Sequence, residues 1–303
     1  MKRRRFAGNI GAMLGAVALG GYAHKSWGAS GKSSAPDANA IIGRLRLLEA
    51  DSGGRLGVAL LDTHTGQTHA YRGDERFPMC STFKMIAVAA VLRRTDLGQE
   101  KLARRIRFER AELVDYSPVT QNHTGAGGIS VAALCEAAIT VSDNTAANLL
   151  LQSVGGPEKV TAFLRSLGDQ TTRLDRIEPE LNEATPGDPR DTTTPGAMLS
   201  TMREIVLGAA LSEGSRNQIK QWLLGNKTGD KRLRAGLPAG WRVADKTGSG
   251  GHGTHNDIGV LWPPGRPPIL VTAYLTETGV SPARRDAILA EVGRLAAAFS
   301  TRL

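Results

Sequence analysis

The chain has 303 residues, 41% hydrophobic and 22% charged, with a net charge of +9. This balance excludes a disordered or fibrous polymer and suits one large domain or two small ones. The charge does not make a nucleic-acid binder. Lys2, Arg3, Arg4, Arg5 and Lys25 hold five of the nine net charges, so a chain starting at Ser30 carries +4, and the clusters Arg104-Arg105-x-Arg107 and Lys231-Arg232-x-Arg234 lack interleaved aromatics.

Lys2 to Phe6 precede an apolar, Gly/Ala-rich run, Ala7 to Ala23, without an acidic residue. These are the n-region and h-region of an export signal. Arg3-Arg4-x-Phe6 has the order of a twin-arginine signal, and the general secretory route remains open. The run is short and glycine-rich for a membrane span. Residues 1–29 are expected to act as the signal, with cleavage after Ala23 or Ala29, leaving a periplasmic or secreted bacterial protein without a membrane anchor. No cysteine follows the apolar run, so nothing points to lipid attachment.

Ala35 to Ala50 reads as an amphipathic helix with Pro36 and Asp37 at its start. Leu56 to Asp62 reads as a strand, Thr65-Gly66 as a turn, and Gln67 to Arg72 as the hairpin partner. Helical patterns then dominate: Met79–Leu92, Ser130–Ile139, Asn144–Leu151, Pro157–Leu167, Thr194–Gly208 and Ser212–Leu224. Asp175 to Arg190 interrupts them as a polar, proline-containing loop, longer than ordinary connections, and long structured loops are commonly functional. Strands resume at Trp241–Lys246, Asp257–Trp262 and Ile269–Thr276, and a helix over Ala283–Ser300 closes the chain.

This order predicts an α+β fold: a five-stranded antiparallel sheet with flanking terminal helices, plus an inserted all-helical domain. Residues 30–78 and 230–303 would form the sheet domain and residues 79–229 the helical one, with the active site at their junction. No long exposed apolar helix argues for an obligate oligomer, so a monomer is expected. Cys80 and Cys135 lie in separate apolar surroundings and read as two buried free thiols. His252 and His255 do not have metal-ligand spacing with Asp257, so neither a metal nor another cofactor is expected.

Ser81 and Lys84 stand three residues apart at the head of the first middle helix, so both side chains point to one side. A serine hydroxyl becomes a nucleophile when a neighbouring base takes its proton, and a helix start adds positive potential for an oxyanion. Alone, the pair is a weak pattern whose default reading is an N-cap serine followed by a solvated lysine. Three further motifs change that reading: Ser142-Asp143-Asn144, Glu178-Pro179-Glu180-Leu181-Asn182 and Lys246-Thr247-Gly248. Ser-x-x-Lys, Ser-Asp-Asn and Lys-Thr-Gly together are the signature of class A β-lactamases and penicillin-binding proteins. From about Ala38 to the C-terminus the chain resembles a class A serine β-lactamase.

The resemblance implies hydrolysis of the β-lactam amide of penicillins and cephalosporins through an acyl-enzyme, and hence antibiotic resistance. Ser81 would be the nucleophile and Lys84 its proton-handling partner. Ser142 would relay a proton to the leaving nitrogen, supported by Lys84 and Lys246, and the backbone N–H groups of Ser81 and Ser249 would form the oxyanion hole. Asn144 would hold the acylamino group, and Lys246, Thr247, Gly248 and Ser249 would line the carboxylate subsite. Glu178, with Asn182 beside it, would activate the deacylating water; the base for acylation, Lys84 or Glu178 through water, stays open. Arg176 and Asp191 match the ion pair that clamps the long loop, and Tyr116 matches the aromatic at the pocket rim.

Two departures accompany the resemblance. His255 stands where many members carry a carboxylate-binding arginine; Arg232 is the favoured replacement, with Arg284 or Arg285 as alternatives. Cys80 and Cys135 resemble halves of family disulfides, but their partner positions are Gly250 and Val88. Unpaired Cys80 with Ser249-Gly250 resembles the extended-spectrum, cefotaxime-hydrolysing branch. The rival readings are a penicillin-binding D,D-peptidase and a β-lactam sensor that acylates without turnover. Glu178 argues against both, since a peptidase needs no such water base against a stalled penicilloyl ester and a sensor does not turn over.

Overall fold

The computed structural model describes residues 38–300; the expected export signal lies outside them. The chain opens with helix α1 (Ala38–Ser52) and strands β1 (Arg55–Asp62) and β2 (Thr68–Tyr71). It closes with strands β7 (Arg242–Ser249), β8 (His255–Trp262) and β9 (Ile269–Thr276) and helix α8 (Pro282–Ser300). These strands form one antiparallel sheet in the order β2-β1-β9-β8-β7, so the two ends of the chain meet at the β1–β9 ladder. Every residue of β9 is buried, as expected for a strand covered on both faces. On one face α1 and α8 pack through Ile41, Leu45, Ile288, Leu289 and Val292, giving one hydrophobic core.

The other face meets the middle of the chain, which contributes the second core. Its centre is α2 (Phe83–Asp96), in which every residue from Phe83 to Leu92 is buried. A helix apolar on all sides belongs in an interior. Around it lie α3 (Val131–Thr140), α4 (Asn144–Val154), α5 (Pro157–Ser166), α6 (Pro195–Val206) and α7 (Glu213–Leu224). Their starts follow local chemistry. The side chains of Ser130, Asp143, Thr194 and Ser212 each accept a backbone N–H three residues on, and Pro157 and Pro195 occupy the first turn of their helices. Gly155 ends α4 at φ +97°, a left-handed position that suits glycine.

Several boundaries differ from the sequence expectation. The first middle helix begins at Phe83, because residues 80–82 form a short 3-10 turn. No cap bond from a serine side chain starts it, so the N-cap reading of Ser81 fails. Lys246-Thr247-Gly248 lies inside β7 rather than at its end, because β8 begins two residues early, at His255, and pairs with Ser249. Two-residue strands β3 (Phe77–Pro78) with β6 (Thr192–Thr193), and β4 (Arg105–Ile106) with β5 (Ile129–Ser130), are too short to leave a periodic signal. Among the described residues no helix is long and apolar enough to cross a membrane.

Candidate active site

Ser81 sits in the 3-10 turn that feeds α2, and Lys84 follows in the first turn of that helix. Lys84 is fully buried and points at the start of α4: its Nζ donates to Ser142 O at 2.8 Å and Asn144 Oδ1 at 2.6 Å, and lies 3.3 Å from Ser142 Oγ. Glu178 Oε1 lies 3.0 Å from the same Nζ and 3.4 Å from Ser81 Oγ. Burial pulls the Lys84 pKa below the ordinary lysine value, with the Glu178 carboxylate opposing that shift. Removing either partner would strand a buried charge, at a cost of about 3–5 kcal/mol.

Lys246 reaches the cluster from β7. Its Nζ lies 3.1 Å from Ser142 Oγ and 2.9 Å from Thr247 O. Its pKa falls well below the usual value, first through burial and then through the charge of Lys84. Ser142 Oγ thus accepts from Lys246 and lies within reach of Lys84, which leaves its own proton free to be donated. Asn144 accepts from Lys84 and donates to Asp115 O at 2.9 Å, leaving one amide hydrogen.

Glu178 is 1% exposed although it belongs to a loop. Asn148, on α4, fixes its backbone from both sides: Glu178 N donates to Asn148 Oδ1, and Asn148 Nδ2 donates to Glu178 O, each at 2.9 Å. Asn182 Nδ2 donates to Glu178 Oε2, while Asn182 Oδ1 is buried without a protein partner. The base of the loop is closed by Arg176 Nε and Asp191 Oδ2 at 2.5 Å, and Asp191 Oδ1 also accepts the N–H groups of Asp175 and Arg176. Met79 N donates to Asp191 O at 2.9 Å, which ties the clamp to the segment carrying Ser81.

On the opposite wall, β7 runs close beneath Ser81. A Cβ on Gly248 would sit 2.7 Å from Met79 O and 3.2 Å from Ser81 N, so glycine is what allows the approach. That proximity brings the backbones of residues 81 and 249 to one side of the cleft. Thr247 is buried and bonded to Thr228, and Ser249 is exposed at the strand end. Tyr116 is 61% exposed, and its carbonyl accepts from Asn144 N at 3.0 Å, which sets the ring at the cleft mouth.

Of the three candidate arginines, only Arg232 meets the site. Its guanidinium donates to Gly248 O, Asn256 O and Ser249 Oγ at 2.9, 2.6 and 2.8 Å. Arg284 pairs with Asp51 on α1, and Arg285 donates to Val280 O. His255 is buried, with Nε2 2.8 Å from Asp286 Oδ1. Burial and the charge of Arg232 lower its pKa to about 4, so the imidazole is neutral at pH 7. Cys80 and Cys135 are both buried and unpaired. Burial pushes both thiols far up, which makes them poor nucleophiles. Among the described residues no group of three or more His, Cys, Asp or Glu is arranged for a metal.

Sequence reasoning missed Asn148 and Asp286. Asn148 follows Asn144 by one turn of α4, so that spacing was available as a signal. Asp286 is carried to His255 by α8 from a distant part of the chain, and no local pattern marks it. Cys80, Tyr116, Ser142 and Asp191 all have positive φ, between +45° and +62°. Such non-glycine residues cost about 1–3 kcal/mol each and gather where function requires them.

A buried serine, lysine and carboxylate gathered where the sheet adjoins the helical layer is the arrangement of a serine acyl-transfer enzyme. The profile of the Beta-lactamase enzyme family matches residues 40–299. The chain is 49% identical to Beta-lactamase CTX-M-8 of Citrobacter amalonaticus and 50% identical to Beta-lactamase Toho-1 of Escherichia coli, each over 85% of this chain and 88% of the relative. It is 48% identical to a β-lactamase of Streptomyces fradiae over 99% of this chain and 97% of that one. The solved structure of an ancestral class A β-lactamase, GNCA, superposes with a TM-score of 0.83 at 68% identity, covering 84% of this chain and 98% of that one. The chain belongs to the class A β-lactamase family: it is a serine hydrolase of β-lactams, and it confers resistance to them.

Proposed function

We propose that the protein hydrolyses penicillins and cephalosporins in a two-step reaction at Ser81, with Glu178 as the base for both steps. The observation that carries this reading is the buried Glu178 carboxylate, 3.4 Å from Ser81 Oγ. In the first step Glu178 takes the Ser81 proton, directly or through one water, while Lys84 supplies the positive field. Ser81 Oγ bonds to the lactam carbonyl carbon, and the backbone N–H groups of residues 81 and 249 hold the oxyanion. As the C–N bond breaks, the Ser142 hydroxyl gives its proton to the leaving nitrogen and is reprotonated from Lys84. Lys84 recovers the proton that Glu178 took, across their 3.0 Å contact, so the carboxylate is restored for the second step. Glu178 then takes a proton from a water held between it and Asn182 as that water bonds to the ester carbon. The bond from that carbon to Ser81 Oγ breaks, the proton passes to Ser81 Oγ, and the opened product leaves. The orphaned Asn182 Oδ1 supports a water there. Asn144 and Tyr116 face the acylamino side, and Thr247, Ser249 and Arg232 the carboxylate.

The proposed setting is the periplasm or the extracellular medium, after loss of residues 1–29, as a monomer built from a sheet domain (30–78 and 230–303) and a helical domain (79–229). We assign the spectrum to the extended, cefotaxime-hydrolysing branch, supported by the identity to CTX-M-8 and Toho-1 and by unpaired Cys80 opposite Gly250. The test mixes purified protein with a chromogenic cephalosporin. Many turnovers per molecule are expected, whereas a single stoichiometric burst would point to a peptidase or a sensor. Glu178→Ala should accumulate an adduct on Ser81, visible by intact mass; continued turnover without adduct sinks the assignment of Glu178. A cefotaxime kcat/KM far below that of benzylpenicillin would remove the extended-spectrum assignment alone.

A further inference from the structure

Away from the catalytic cleft, the strand entry at Arg76, the helix α5 and the segment 170–175 line a pocket of about 340 Å3. Three guanidinium groups line it: Arg76, Arg165 and Arg173. Arg173 is neutralised by Asp175, with Nε 2.9 Å from Oδ2. The other two are not. Arg76 NH1 donates to Thr171 O and Thr192 Oγ1, each at 3.0 Å, and Arg165 NH1 donates to Asp169 O and to Thr172 O at 2.8 Å. Neither forms an ion pair with a carboxylate among the described residues.

Both cations are therefore held on carbonyls of residues 169–172, with the Thr192 hydroxyl as a further acceptor for Arg76, and each uses only its NH1 end. Main-chain carbonyls fix their positions but do not cancel their charge. Nε and NH2 of both make no hydrogen bond among the described residues, both residues line the same concavity, and a guanidinium fork suits an oxyanion. Two carboxylates line the pocket: Asp175, paired with Arg173, and Glu158, exposed on the first turn of α5. Gln170, also exposed on the wall, has a side-chain amide that can donate to a ligand.

We propose that this pocket is a binding site for a small phosphate-class oxyanion, clasped between Arg76 and Arg165. A tetrahedral anion accepts from both forks at once and relieves the repulsion between them. The volume exceeds what inorganic phosphate fills, so a phosphate ester with a small organic group fits equally. The site is separate from β-lactam hydrolysis, and its existence does not depend on the roles given to Ser81 or Glu178.

The experiment titrates inorganic phosphate, and separately glycerol phosphate, into full-length mature protein at constant ionic strength set with chloride. Binding is read by calorimetry and by the shift in melting temperature. Saturable binding is expected for the wild type, with affinity falling at least about fivefold in Arg76→Gln and in Arg165→Gln and rising about twofold in Glu158→Gln. Arg76 is exposed, so its variant reports on the site even if Arg165→Gln folds poorly. Tighter binding of glycerol phosphate than of phosphate assigns an ester as the occupant; the reverse order assigns the free ion. No saturable binding by the wild type, or equal affinity in wild type and Arg76→Gln, overturns the proposal.

Discussion

Lys84 and Glu178 form an ion pair at 3.0 Å in which neither side chain has any exposed surface. The pair is held from outside by Asn144 and Asn182, and Ser81 Oγ lies 3.4 Å from the carboxylate. This places the base for acylation within direct test. If Glu178 takes the Ser81 proton, Glu178→Gln slows acylation as well as deacylation. A loss of about 10²–10⁴-fold in the acylation rate is expected from removing a general base. Stopped-flow measurement of the burst with a chromogenic substrate checks this. An unchanged burst rate with abolished steady-state turnover would transfer the acylation role to Lys84.

The backbone clasp of Asn148 on Glu178 leads to a second expectation. Asn148→Ala removes both bonds to residue 178, each worth about 0.5–1.5 kcal/mol, and leaves a buried N–H and C=O without partners. The chemistry of the carboxylate is untouched, but its position is loosened. Deacylation should slow by about tenfold, a size typical of a displaced catalytic group, with acyl-enzyme detectable by mass in the steady state. Steady-state kinetics equal to the wild type would show that the Arg176–Asp191 clamp suffices to hold the loop.

These residues also mark what was legible in the sequence. The sheet and the helices could be read because their apolar periods are long and their turns carry Gly, Pro, Ser or Asp at the starts. Ser81, Lys84, Ser142, Glu178 and Lys246 were legible through spacing and motif. Their convergence was not, since it depends on the antiparallel return of β7 beside the 3-10 turn and on the loop folding back onto α4. Asp286 was invisible for the same reason: its meaning comes only from α8 crossing β8. The two-residue strands and the early start of β8 escaped because two residues carry no period.

Arg232 donates to Ser249 Oγ and to two strand carbonyls, so it stiffens the end of β7 as well as presenting positive charge. Arg232→Ala should raise KM for penicillins several-fold, equivalent to about 1 kcal/mol, with a smaller change in kcat. Arg284→Ala serves as the control, because Arg284 is turned towards Asp51. Unchanged kinetics in Arg232→Ala would rule this arginine out of the carboxylate subsite.

Cys80 and Cys135 are buried beyond the reach of a thiol reagent in the folded state. The native protein should show no rapid reaction, and the unfolded, unreduced protein two free thiols. A Cβ at Gly250 would lie 2.6 Å from Cys80 Sγ and 2.5 Å from Asn182 O, so the glycine keeps this thiol close-packed without a partner. Zero thiols in the unfolded protein would contradict the packing around both residues.

His255 supplies a pH prediction whose sign follows from its environment. Folding lowers its pKa from 6.5 to about 4, chiefly by burial. Between those values the unfolded chain binds a proton that the folded protein does not, so folding stability falls as the pH is lowered from about 6.5 to 4. The full effect is on the order of 3 kcal/mol, present at the acid end of that window and absent above pH 7. Replacing His255 with Asn removes the titration and keeps a polar group facing Asp286. Urea unfolding at pH 7.5 and at pH 4.5 should therefore show a smaller loss on acidification in His255→Asn than in the wild type. An equal loss in both proteins would mean that the acid limb belongs to groups other than His255.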